Sequence, residues 1–125
     1  MDDRDELDLV VMAFRLARSA TGCYVTGYVE WCDDKAASIA REKLADLSGL
    51  TPEAIRCMSI NFVSDGGKIS QHEETRPDHL DYPFYYKIIL KLEDFPRGVF
   101  VELRLVDDDR QNPVVHIVSA HRSGV

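Results

Sequence analysis

Apolar residues recur along this chain at two spacings, and the switches between them mark out helices and strands. From Asp5 to about Arg18, Leu7, Val10, Val11, Phe14 and Ala17 fall at the i, i+3, i+4, i+7 spacing of one helix face. Acidic residues at 2, 3, 5 and 6 open this stretch, Arg15 and Arg18 close it in favour of the helix dipole, and Thr21-Gly22 ends it. Cys23 to Trp31 then alternates with period two, which predicts a strand. Cys23, Val25, Val29 and Trp31 share one face, and Tyr24, Thr26, Tyr28 and Glu30 the other. A second helix is predicted from a cap at Asp33 or Asp34 to about Leu47, burying Ala36, Ile39, Ala40, Leu44 and Leu47. Ser48-Gly49 stops it, and Thr51 caps a short third helix with Pro52 at its first position and Glu53 in its first turn. Ala54, Ile55 and Met58 give that helix its packing face, and Ser59 to Val63 reads as a short strand ended by Asp65-Gly66-Gly67.

Residues 68 to 83 show no period and are rich in polar and titratable groups, so they read as a long loop. Phe84 to Leu92 and Val99 to Val106 form a predicted hairpin. Phe84, Tyr86, Ile88, Leu90 and Leu92 face inward from its first strand; Tyr85, Lys87, Ile89 and Lys91 lie on the other side. In the second, Val99, Val101, Leu103 and Leu105 face inward while Glu102 and Arg104 face out. Val114 to Arg122 closes the chain as a strongly apolar strand after Pro113. Strict alternation points His116, Val118 and Ala120 one way and Ser119 and His121 the other. The elements add up to an α+β domain, with N-terminal helices packed on a mostly antiparallel sheet of about four strands.

Composition narrows the function. A chain of 125 residues with 45% apolar and 30% charged residues is sized for one domain with its own core, spanning 1–125. Its formal charge of −7 argues against a broad nucleic-acid surface or a membrane-surface role, while leaving room for a local basic pocket. Three cysteines without close pairing (Cys23, Cys32, Cys57) read as reduced thiols. The acidic start lacks the basic, then apolar, order of a signal peptide, and no window is apolar enough to span a bilayer, so a cytoplasmic location is expected.

Four short stretches, in order, carry a resemblance: Tyr24-Val-Thr26, Gly49-Leu-Thr-Pro-Glu-Ala-Ile55, Arg76-Pro77 and Val114-Val-His-Ile-Val-Ser-Ala-His-Arg122. Together they resemble the RelE/ParE-like toxin superfamily, nearest to a branch of small bacterial domains close to MqsR and BrnT. That resemblance spans residues 20 to 122. It implies a RelE-like fold, a toxin-type endoribonuclease of a toxin–antitoxin system or a degenerate relative of one, and RNA and a cognate antitoxin or other protein as partners.

Metal-independent RNA cleavage needs a group to activate the 2′-hydroxyl, a proton donor, and cations for the phosphate. His121, Arg122, Arg104 and Tyr86 are the candidate catalytic residues, with Lys87, Tyr85 and His116 as candidate substrate contacts. No cofactor or metal is expected. Asp81, Glu102 and Arg104 only distantly echo a metal-dependent nuclease, because Arg stands where a Lys belongs and a second acidic ligand is missing. The competing reading is a non-catalytic module that docks a partner protein on the same sheet. It is favoured by the acidic charge and by Gly27, which follows Thr26 where related domains carry a His. The ribonuclease reading requires Tyr85 or Tyr86, Arg104, and His121 or Arg122 to line one sheet face.

Overall fold

In the computed structural model, residues 3–21, 28–32, 50–77, 81–93 and 95–122 are described. They form helices α1 (Asp3–Thr21) and α2 (Pro52–Ser64) and strands β1 (Val29–Trp31), β2 (Ser70–Glu73), β3 (Phe84–Leu92), β4 (Phe95–Asp107) and β5 (Val114–Arg122). The strands make one sheet in the order β1-β5-β4-β3-β2, antiparallel throughout except for the parallel β1–β5 pair. The α+β layout is as expected, with five strands rather than about four. The predicted helix from Asp33 or Asp34 to Leu47 and the start of the predicted strand at Cys23 lie outside the described residues.

Burial explains the layers. Leu9, Val10, Ala13, Phe14 and Ala17 of α1 and Ile55, Ile60 and Val63 of α2 are buried in one cluster. The same cluster takes Tyr86, Ile88, Val99, Val101, Leu103, Val115 and Ile117 from the sheet. Both described helices therefore pack on the face that these strand residues share.

The longest departure from the sequence pattern is in α2. Ser59–Val63 continues the helix instead of forming a strand. Ile55, Ser59, Ile60 and Val63 are all buried at the i, i+4, i+5, i+8 spacing of one helix stripe, so the β-branched residues serve a helical core face. The Ser59 hydroxyl donates to the Ile55 carbonyl at 2.7 Å, which satisfies it within the helix. The helix starts as read, with Thr51 Oγ1 accepting from the Ala54 amide at 3.0 Å. Its far end closes through Gly66 and Gly67, whose amides donate to the Val63 and Phe62 carbonyls.

Arg56 is 2% exposed, donates from Nε to the Val29 carbonyl at 2.7 Å, and pairs with Glu53. Trp31 Nε1 donates to the Pro52 carbonyl at 2.8 Å. These two bonds tie α2 to β1. Tyr28 has φ 59°, a left-handed conformation that breaks the period-two pattern immediately before β1, Val29–Trp31.

The predicted loop contains β2, whose Ser-Gln-His-Glu sequence carries no apolar alternation. It lies at the sheet edge, where backbone pairing with β3 supplies the order (Ser70 to Lys87, His72 to Tyr85). The hairpin is tighter than its pattern implied: β4 begins at Phe95, which pairs with Leu92. Gly98 lies in this added segment with φ 90°, and a Cβ there would run into the Ile89 side chain.

Candidate functional site on the open sheet face

One irregularity decides which side chains share the surface opposite the two described helices. Between Glu102 and Leu103 the β4–β5 register shifts: Leu103 pairs with Ile117, but Glu102 pairs with Ser119, so Val118 is the extra residue of a β-bulge. Beyond the bulge the alternation of β5 is inverted. His116, Ser119 and His121 therefore stand opposite Arg104, Glu102 and Phe100, which alternate on one face of β4. The expected separation of His116 from Ser119 and His121 is corrected by that single residue. Val115, Ile117 and Ala120 stay on the buried side.

The face is organised around Phe100. The exposed His121 ring tilts against it with centroids 5.6 Å apart, and Lys87 Nζ lies 5.5 Å from the Phe100 centroid and 5.7 Å from that of Tyr85. Tyr85 in turn stacks on His72 at 5.1 Å and 18°. This face of the sheet thus offers two imidazoles, an ammonium and two further aromatic rings in one continuous patch.

Arg76 crosses the same patch. Its guanidinium sits 4.7 Å from the Tyr85 centroid and bridges Glu74 and Glu102, with contacts of 2.8 Å to each. Glu74 has no exposed side-chain surface and also accepts from the Arg76 backbone amide. The hydrogen bonds that Arg76 donates to Glu74, then those to Glu102, hold it above its ordinary pKa despite some desolvation.

Of the residues singled out in the sequence, Tyr85, Lys87, Arg104, His116 and His121 fall on this face by register. They do not form one tight cluster. Phe100 and Arg104, the partners of His121 and His116, are four residues apart on β4, roughly 13 Å at ~3.3 Å per residue. Arg104, expected to face solvent, is 4% exposed and lies beneath Tyr82, 4.9 Å from its ring centroid. Tyr86 is on the opposite, core face, fully buried, with its hydroxyl accepting from Gln71 at 3.0 Å. Its ring cannot stack on a ligand at the His121 face. Arg122 pairs with Val99 at the end of β5. Asp81 is exposed, Glu102 is engaged by Arg76, and among the described residues no group of three His, Cys, Asp or Glu is placed to hold a metal.

Phe100, His72 and Tyr82 were not singled out in the sequence, and Arg76 was named only in the Arg76-Pro77 stretch of the resemblance, not as a site residue. Phe100 was legible: alternation in β4 that turns Val99 and Val101 inward leaves an aromatic on the polar side. Arg76, His72 and Tyr82 sit in the stretch read as an irregular loop, where no period assigns a face.

Comparison with known protein families, with curated proteins and with solved structures finds no match to this chain.

Proposed function

We propose that the protein is a RelE-like, toxin-type endoribonuclease of a bacterial toxin–antitoxin system, acting on single-stranded RNA at the His121 end of the open face. The observation that carries this reading is the bulge at Val118, because it brings His121 beside Phe100 and Lys87. Phe100 and Tyr85 offer stacking surfaces for unpaired bases. Lys87 supplies positive charge for the scissile phosphate. His121 is the acid–base group: it takes the 2′-hydroxyl proton as that oxygen attacks phosphorus, and returns a proton to the departing 5′-oxygen. The products are a 2′,3′-cyclic phosphate and a 5′-hydroxyl, and no redox step or metal is required. His116, ~13 Å along the strand, is too far to serve the same phosphate and belongs to a flanking subsite. One imidazole contributes ~10²–10⁴-fold, so cleavage is slow compared with enzymes that use two.

A second reading rests on Arg76. Its guanidinium covers part of the Tyr85 ring and is neutralised by Glu74 and Glu102, and the whole chain carries −7. A surface with its charges already paired suits a non-catalytic module that docks a protein. Induced expression separates the two. The ribonuclease reading expects growth arrest from the wild type and relief by His121→Ala. Unimpaired growth at high wild-type expression favours the docking module.

A further inference from the structure

Arg104 presents a physical problem that the RNA reading does not solve. Its side chain is buried, and its Nε and Nη2 donors have no hydrogen-bond partner among the described residues. A guanidinium cannot shed its proton to escape burial, and an unpaired buried charge is strongly unfavourable. Among the described residues, Glu102, two residues back on the same face, is already bound by Arg76. The direct neighbour across the ladder, His116, is not an anion. The Tyr82 ring centroid lies 4.9 Å from the guanidinium carbon, and that ring contact gives Nε and Nη2 no hydrogen-bond acceptor.

The two orphaned nitrogens lie on one edge of the guanidinium. Their N–H bonds run parallel, at the spacing of two oxygens on a single carboxylate or phosphate, the fork geometry that makes arginine a bidentate oxyanion ligand. We infer that this edge of Arg104 binds the oxyanion end of a small ligand, a phosphate monoester or a carboxylate, admitted beneath Tyr82. Its burial favours a terminal group over an internal phosphodiester, because a continuing strand would have to pass the buried guanidinium edge on both sides. The site lies apart from the Phe100–His121 end of the sheet, stands independently of RNA cleavage, and gives Tyr82 the role of its cover.

The test uses the full-length, ¹⁵N-labelled protein and follows the Nε–H signal of Arg104, assigned by its loss in Arg104→Lys. Inorganic phosphate, acetate, a nucleoside monophosphate and a dinucleoside phosphodiester are titrated separately at constant ionic strength. A saturable shift of this signal, larger than that of the exposed Arg97 and Arg110, is expected with phosphate or with acetate. A response to phosphate and the monophosphate without acetate assigns a phosphoryl ligand, and the reverse assigns a carboxylate. The thermal midpoint should rise with the same anion in the wild type and not in Arg104→Lys. The proposal is overturned if neither anion gives a saturable shift or if all arginines move alike. It also fails if the phosphodiester shifts the signal as strongly as the monophosphate. RNA cleavage is measured on the same sample, so its failure is read separately from that of the anion site.

Discussion

Glu74 exposes none of its side chain, and it accepts from the backbone amide, Nε and Nη2 of Arg76. Arg76 is partly exposed, so the ion pair alone contributes little; the buried acceptor with several charge-assisted bonds matters more. Glu74→Gln should cost about 1–3 kcal/mol in denaturant unfolding, and Arg76→Gln about as much, because it leaves the Glu74 carboxylate buried without its cation. The pH sign follows from the raised Arg76 pKa. Stability from a raised cationic group is fully present below its unfolded pKa and is lost only as pH rises through the folded one. Moving from neutral to about pH 10 should therefore leave this contribution intact, since an arginine's unfolded pKa already lies well above that interval. A denaturation midpoint that fell in the wild type but not in Arg76→Gln over that interval would contradict this.

The ends of the elements were easier to read from sequence than their extents. Thr51-Pro52-Glu53 fixed the start of α2 because capping is a local hydrogen-bond requirement, and the structure places Thr51 Oγ1 on the Ala54 amide. Thr51→Ala should lower stability by about 1 kcal/mol. Ser59–Val63 was misread because β-branched residues suit strands locally, whereas here they line the helix face that the core demands. β2 was invisible, since an edge strand of Ser, Gln, His and Glu gains its order from the β3 ladder, a long-range term with no local signature. The bulge was equally hidden, because nothing in Ile117-Val118-Ser119 marks an unpaired residue. That miss bore on the site, since strict alternation put His116 and His121 on different faces. Tyr85, Lys87 and the outward side of β4 were legible from alternation alone. At Gly98, the left-handed backbone and the Ile89 side chain together forbid a Cβ, so Gly98→Ala should destabilise the hairpin by about 1–3 kcal/mol. Hydrogen exchange of the β3 and β4 amides would register it.

At the scale of the molecule, charge limits how RNA can be held. A chain of net charge −7 cannot gain affinity from a broad basic surface. In the proposed ribonuclease, binding would come from stacking on Phe100 and Tyr85 and from few phosphate contacts, with Lys87 foremost. The logarithm of affinity for single-stranded RNA should then fall with the logarithm of salt at a slope of about −1 to −2, for roughly two neutralised phosphates. A much steeper slope would indicate a different binding surface. Among the described residues no helix is long and apolar enough to cross a membrane. The two described helices and the core occupy one side of the sheet, and His121, Lys87, Phe100 and Tyr85 lie on the other. The most direct test of that division is the cleavage of single-stranded RNA by purified protein in the presence of EDTA, wild type against His121→Ala. Wild type should yield fragments ending in 2′,3′-cyclic phosphate, and His121→Ala should be slower by about 10²–10⁴-fold. RNA left intact by the wild type, or cut equally fast by the variant, would contradict the account.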